Sequence, residues 1–481
     1  MPTYDYDLGV IGGGAAGLTV TSGAAQLGAK VLLIEKEPQL GGDCLHFGCV
    51  PSKTLIKTAA VYHQMQQAEH YGLPGIEVPP VDFASVARRI RDVIETIQPH
   101  DSPERFCKLG AKVEFGHAEF TDEHTVRAGG KKITAKQWLI ATGSSPAIPE
   151  IKNLEQVPYL TNREIFSLEK LPESLIIMGG GPIAIEMAQA FCRLGSRVEV
   201  IQRSSQILSK EDQDMADLLM HRLQEEGVTF HLNTTIKKAR SNANLREIIY
   251  TDREGNDQTV SGEQLLIAMG RSANVNHMGL PSISLAHNPK GIDVDRRLRT
   301  SHKHIYAAGD VTGAHQFTHA AGYEGGIVVS NAIFHLPRKT DYTLMPWCTY
   351  TEPELASVGM NEKAAQKAGI NYTVWKEEFS GNDRSLAEGE RLGQIKLILD
   401  HKENPLGVQI LGLHGGDLIG EWVAALSGRV KLSTIASAIH PYPTLVEINK
   451  RVAGAVLSRK IFSAKVRKAL TFFFNLKGRA C

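Results

Sequence analysis

Residues 7–36 read DLGVIGGGAAGLTVTSGAAQLGAKVLLIEK, and residues 174–203 read SLIIMGGGPIAIEMAQAFCRLGSRVEVIQR. Both run from an apolar strand through a glycine-rich turn and a helix into a second apolar strand. An internal repeat of this kind predicts two nucleotide-binding βαβ units on separate parallel sheets. In the first copy Gly12, Gly14 and Gly17 form G-x-G-x-x-G between strand and helix. The first glycine permits the turn, the second lets a pyrophosphate approach the backbone, and the third lets helix pack tightly on strand. The helix N–H groups and dipole then face the phosphates. Glu35 ends the next strand, where a carboxylate can accept hydrogen bonds from a ribose. The glycine pattern alone is a weak signal; strand, helix, second strand and acid in register make it a strong one.

In the second copy the turn is Gly179, Gly181 and Ala184, with alanine in the third place. Its closing strand ends in Gln202, where a site for NAD would want a carboxylate, and Arg203 follows. Without the acid a 2′-phosphate is not repelled, and an arginine can bind it bidentately. NADPH is therefore the expected nucleotide, with NADH as the other possibility. Against this stands the commoner fate of an arginine, which is to face solvent.

Outward from these units, a helical run covers Phe83–Ile97 and a β-rich piece ends in WLIATGSSPAIP. After about residue 340, runs such as GQIKLIL and LGVQILGL alternate with helical stretches such as DLIGEWVAALS, which predicts an α+β domain with an antiparallel sheet. The 481 residues are too many for one ordinary core. A hydrophobic share of 42% with 22% charged residues describes a globular chain, and a net charge of +1 gives no whole-molecule attraction to nucleic acid. No run reaches the roughly 18 apolar residues of a membrane span. The first strand begins almost at once, leaving no signal peptide, so a cytoplasmic, reducing environment is expected. Six cysteines there do not read as a structural disulfide framework.

Residues 41–53, GGDCLHFGCVPSK, hold Cys44 and Cys49 with four residues between them. At the head of a helix such a pair could span one turn and meet as a disulfide, and a helix N-terminus or nearby cation would stabilise a thiolate. Two buried cysteines, or half a metal site, are the plainer alternatives. The metal alternative is weak because a zinc site needs two more ligands and the chain has no second cysteine pair. No metal site is expected. Cys107, Cys192 and Cys348 fall in regular segments and read as buried thiols.

GGDCLHFGCVPSK closely resembles the disulfide motif of the class I flavoprotein pyridine nucleotide-disulfide oxidoreductases, a family that includes glutathione reductase, dihydrolipoamide dehydrogenase and mercuric reductase. Other landmarks follow in the family's order. Thr142 and Gly143 lie in its A-T-G crossover, and Gly270 in a second crossover, AMGR, whose following SAN departs from the usual x-Pro-Asn. IYAAGD at residues 305–310, with Gly309 and Asp310, resembles the second FAD motif, and THAA, with Thr318 and His319, the stretch at the flavin's pyrimidine edge.

The resemblance implies a glutathione reductase-like α/β fold: a discontinuous FAD domain (residues 1–150 and 275–340), an NAD(P) domain (151–274) and an α+β dimerisation domain (341–481). A homodimer is implied with it. So are roles: Cys49 against the flavin as charge-transfer thiolate, Cys44 as interchange thiol, and Lys53 with Glu186 beside flavin N5. A fixed cation there favours the reduced, anionic flavin.

Residues 440–447, HPYPTLVE, resemble the family's C-terminal catalytic segment. In glutathione reductase and dihydrolipoamide dehydrogenase a histidine before Pro-Thr is the thiol base, oriented by a glutamate. Here Tyr442 holds that place, His440 stands two residues earlier, and Glu447 is retained. A tyrosine, with a pKa near 10, takes no thiol proton at neutral pH. Mercuric reductase also carries tyrosine there, which favours a thiophilic metal ion or small disulfide as electron acceptor over lipoamide. A dihydrolipoamide dehydrogenase-type enzyme is the alternative, and a low-turnover redox sensor or membrane-docked interaction protein is an alternative of another class. Mercuric reductase would bring a C-terminal cysteine pair, whereas Cys481 stands alone. After Glu447 no acid occurs, while nine lysines and arginines surround Phe472-Phe473-Phe474. That tail suits peripheral contact with an anionic membrane, although a solvated or dimer-packed helix is the commoner arrangement.

Overall fold

A computed structural model describes residues 3–478, which form two compact units. Cys481 and Arg479 of the tail lie outside the described residues.

The first unit comprises residues 1–63, 78–205 and 227–342. Its larger sheet carries five parallel strands in the order Ala111–Phe115, Val31–Glu35, Tyr6–Ile11, Lys131–Ile140 and Ile305–Ala307. Every residue of Val31–Glu35 is buried. A parallel sheet covered on both faces demands a continuous apolar run, which is why these strands do not alternate. Each such Leu, Ile or Val contributes about 1.5–3 kcal/mol when fully buried. Gly9 shows how close the packing is: a Cβ there would sit 2.2 Å from the ring of Trp138, which is itself fully buried.

A second parallel sheet holds Thr229–His231, Arg197–Ile201, Ser174–Met178 and Gln264–Ile267. The two copies of the glycine-turn repeat therefore do lie on separate parallel sheets. Ser144–Pro146 pairs antiparallel with Arg271–Ala273, so the two crossover segments run side by side.

The second unit comprises residues 64–77, 206–226 and 343–481. Five antiparallel strands form its sheet, in the order Pro346–Thr349, Glu354–Gly359, Pro405–Gly412, Gln394–Asp400 and Tyr372–Glu378. Helices Gly415–Ser427 and Glu447–Ile461 pack on it through Leu418, Trp422, Ile448 and Val452. A lysine, Lys396, sits fully buried on the strand Gln394–Asp400. Its Nζ lies 2.9 Å from Asp212 and 2.8 Å from Asp214, and it also pairs with Glu362. Burial alone would push this lysine down; its carboxylate partners outweigh that and hold it above the usual lysine range.

Two sequence expectations need correction. Of the three cysteines read as buried, Cys107 is exposed, because the short helix Pro103–Lys108 turns Phe106 inward and its neighbour out, and Cys192 and Cys348 are half-buried. Cys44 and Cys49 do not share one helix: Cys44 is in Gly42–His46 and Cys49 opens Cys49–Gln66. The break falls at Phe47-Gly48, where a Cβ on Gly48 would come within 2.9 Å of the Asp43 carbonyl oxygen.

Candidate active site

The first glycine turn is shaped for a dinucleotide. Gly12 adopts φ +107°, and a Cβ there would lie 2.3 Å from the Ala141 carbonyl oxygen. A Cβ on Gly17 would strike the Gly12 carbonyl at 1.8 Å. Beside Gly14 there is room, with only Gly42 Cα within reach at 3.9 Å. This is the division of labour a pyrophosphate cradle needs: closed where backbone meets backbone, open where phosphate enters. Glu35 accepts hydrogen bonds from the Gly13 N–H at 2.6 Å and the Glu37 N–H at 2.8 Å, which fixes its carboxylate at the strand end.

Gly41 and Gly42 join this turn to the cysteines. The Gly41 N–H donates to the Gly13 carbonyl at 2.9 Å, and a Cβ on Gly42 would lie 2.7 Å from Gly14 Cα. The helix bearing Cys44 is thereby pinned against the dinucleotide turn. As a reduced pair, Cys44 and Cys49 hydrogen-bond to one another. That bond splits them. Cys44 as donor is pushed far above the usual thiol range, by the Cys49 sulfur first and burial second. Cys49 as acceptor is pulled down to about 6, by the Cys44 hydrogen bond first, with help from Thr318 and the Lys53 charge against opposition from burial.

Thr318 Oγ1, opening the helix Thr318–Ala332, lies 3.4 Å from Cys49 Sγ. His319 beside it stacks on Phe317, with ring centroids 5.3 Å apart. Lys53 Nζ donates to Glu186 Oε2 at 2.8 Å, and Glu186 is buried. The structure thus brings Cys44, Cys49, Thr318, Lys53 and Glu186 into one neighbourhood.

A second polar group, in which Asp43, Ser144, Asn162 and Arg271 were not among the expected site residues, surrounds the crossover segments. Arg271 bonds Asp43 at 3.0 Å and the Ser144 carbonyl and hydroxyl at 2.9 and 2.6 Å. Ser144 Oγ in turn donates to Asp310 at 2.6 Å, and Asn162 holds Asp43 and the Phe47 carbonyl. Burial pushes Asp310 up, with Ser144 and Arg271 working against it. Thr142 donates to the Asn274 carbonyl at 2.7 Å, and the Gly143 carbonyl accepts from the Asn274 N–H at 3.0 Å. The Gly309 N–H donates to the fully buried Glu324 at 2.6 Å. Glu324 did have a signal: it is the one acid in a helix otherwise made of small, apolar and neutral residues.

The second glycine turn repeats the first. Gly179 takes φ +117° with a Cβ position 2.3 Å from the Ala268 carbonyl oxygen, while Gly181 and Gly270 face open space. Ala184 is fully buried in the helix Pro182–Leu194. Gln202 folds over Gly180 and donates to Ser204 Oγ at 2.7 Å; Arg203 is exposed beside it.

In the second unit the C-terminal segment spreads its groups apart. Tyr442, 71% exposed, donates to Asp383 at 2.8 Å, and that bond raises the phenol above its ordinary range. His440 Nε2 lies 3.0 Å from Glu421, and its Nδ1 faces the Ala438 carbonyl at 3.4 Å. The carboxylate beside this imidazole is therefore Glu421, held by buried Asn449 at 2.9 Å, while Glu447 accepts from the Thr444 N–H at 3.4 Å.

The sequence and the fold match known proteins over nearly the full length. Residues 6–325 match the pyridine nucleotide-disulphide oxidoreductase family and residues 345–453 its dimerisation domain. The chain belongs to this family. A mercuric reductase of Staphylococcus aureus is 32% identical, covering 92% of this chain and 81% of the relative. A dihydrolipoyl dehydrogenase of Geobacillus stearothermophilus is 34% identical, covering 94% and 96%. Among solved structures, the Cu(II) complex of the HOCl-induced flavoprotein disulfide reductase RclA from Escherichia coli superposes with TM-score 0.85 at 26% identity, covering 94% of this chain and all of that one. The glutathione reductase-like fold, the FAD and NAD(P)H of the family, its redox disulfide centre and a homodimer follow from these matches. No described helix is long and apolar enough to cross a membrane.

Proposed function

We propose that this member passes electrons from NADPH through FAD and the Cys44/Cys49 pair to a thiophilic metal ion or a small disulfide, with the metal ion favoured. FAD would be held by the turn of Gly12, Gly14 and Gly17, by Glu35, and by the Gly309–Asp310 and Thr318–His319 segments. When bound, it supplies hydride exchange between the nicotinamide and the sulfur pair. NADPH would lie on Gly179, Gly181, Ala184 and Gly270, with Arg203 toward the 2′-phosphate.

Addition of a hydride to the Cys44–Cys49 disulfide breaks the S–S bond and leaves one thiol and one thiolate. The hydrogen-bonded pair suits that product: Cys44 keeps the proton and Cys49 the charge. A small disulfide is then cut by the Cys44 sulfur, which must first lose its proton. One substrate thiolate leaves, Cys49 displaces the other from Cys44, and the enzyme disulfide re-forms. A thiophilic ion reduced by two electrons, such as Hg(II), instead takes both sulfurs as ligands, releases the Cys44 proton to water, and leaves with both electrons as the disulfide closes; with Cu(II), two ions would each take one electron.

The observation that carries the preference is Tyr442, fixed on Asp383 with its phenol raised, in the place of the family's imidazole base. Thiol attack on a disulfide needs a base; metal coordination deprotonates a thiol by itself. The family's C-terminal segment serves the disulfide of the other subunit, so the base would be missing there. A screen of NADPH oxidation against Hg(II), Cu(II), lipoamide and glutathione disulfide tests this. Metal ions should support turnover and lipoamide should be poor. Tyr442→His should raise disulfide turnover by roughly 10²-fold or more, as general base catalysis does. Fast lipoamide reduction by the parent would instead make it a dihydrolipoamide dehydrogenase-type enzyme.

A further inference from the structure

The matched dimerisation domain ends at residue 453, and the chain beyond it is built differently. Helix Glu447–Ile461 still buries Val452, Ala453 and Val456. The chain then breaks at Phe462-Ser463, where the Ser463 hydroxyl accepts from the Val466 N–H at 3.4 Å and caps a new helix, Ala464–Phe474. None of its eleven residues is buried. Val466, Ala469, Leu470 and Phe473 recur at the i, i+3, i+4, i+7 spacing of one helical face. Phe473 is 75% exposed and Leu470 40%; Phe474, at 69%, flanks them, while Phe472, at 82%, falls on the side of Lys465 and Lys468. Lys465, Arg467 and Lys468 occupy the other side, and Lys477 follows the helix end.

An isolated helix of about a dozen residues is marginal in water and gains its stability from an apolar partner. The chain offers clues to that partner's chemistry. No acid follows Glu447, so the whole segment presents cations around aromatic rings. The helix is also far shorter than the roughly 20 residues a membrane span needs. Basic residues flanking a stripe of Phe and Leu suit the plane between anionic headgroups and acyl chains, where rings enter the hydrocarbon edge and lysines meet phosphates.

We propose that the helix Ala464–Phe474 is a docking element for an anionic lipid surface, laid parallel to it. This is independent of the identity of the electron acceptor. The test is co-sedimentation of the full-length flavoprotein with vesicles of phosphatidylcholine, alone or mixed with phosphatidylglycerol. The protein should pellet with the anionic vesicles only, and added salt should weaken the association. Replacing Lys465, Arg467 and Lys468 with Gln should lower partitioning on the order of a hundredfold, since each basic residue near such a surface contributes about fivefold. Leu470→Ser with Phe473→Ser should also release it, with flavin content and NADPH oxidation unchanged. Equal pelleting with both vesicle types, or none with either, overturns the proposal. So does a drop in the sedimentation coefficient of the Leu470→Ser/Phe473→Ser variant without lipid, which would make a second copy the occupant.

Discussion

At the scale of single residues, the pair Cys44 and Cys49 shows how one hydrogen bond assigns two roles. Cys49 titrates near 6, below the ordinary thiol value of 9.0, so the reduced protein carries its thiolate at every pH above that point and loses it on acidification. The alkylation rate of the reduced protein by iodoacetamide should therefore rise through a midpoint near pH 6 and level off above it. Cys49→Ser should abolish that titration, and Thr318→Val, which removes one stabilising contact, should move the midpoint upward by about one pH unit. A midpoint near the ordinary thiol value in the parent would contradict the assignment. Arg203 is a second residue with a sharp consequence. Its exposed guanidinium beside Gln202 suits a 2′-phosphate, and a charge-assisted pair is worth about 1.5–3 kcal/mol. Arg203→Glu should raise the KM for NADPH roughly 10- to 100-fold and barely alter that for NADH. Indistinguishable kinetics with the two nucleotides in the parent would remove the preference.

At the scale of elements, the strands and helices nearest the glycine turns were legible because their constraints are local. Gly12 must reach φ +107° and Gly17 must let a helix touch a strand; both demands act within one βαβ unit. The strand Gln394–Asp400 was equally legible from its apolar run, yet its energetics were not, since Lys396 reads as an outward residue until its three carboxylates are seen. Lys396→Met should leave Asp212 and Glu362 without their cation, while Asp214 keeps Lys376 at 2.6 Å. Removing one partner of a buried ionic group costs about 3–5 kcal/mol, which urea unfolding followed by tryptophan fluorescence would register as a lower midpoint. Adding Asp212→Asn to that variant should recover part of the loss. No change in midpoint would mean the cluster contributes nothing net.

For the molecule as a whole, the first unit carries two glycine turns that are each open on one side. Both glycine turns are closed by backbone contact and open at Gly14, Gly181 and Gly270. A ligand that binds only the folded chain stabilises it by about 4 kcal/mol at a thousand times its Kd. The purified protein should be yellow, with one FAD per chain. Stripping the flavin should lower the Tm measured by calorimetry, and adding it back should restore both colour and Tm. Identical melting of stripped and loaded protein would refute the cradle.

The sequence by itself determined the paired nucleotide folds, the glycine turns, the cysteine spacing and a tyrosine, Tyr442, where the family resemblance implies an imidazole. Each of these is written in a short window, where backbone sterics or side-chain chemistry leaves little choice. Only the tertiary structure decided which charges meet. Arg271 tying Asp43 to Ser144 and Asp310, Lys53 on Glu186, and Lys396 among three carboxylates each join segments distant in sequence. It also gave His440 to Glu421 and left Glu447 on its own turn, although spacing made Glu447 the nearer candidate. Such pairings depend on where the chain returns after long excursions. That return is set by sheet order and core packing, and no single window of residues records it.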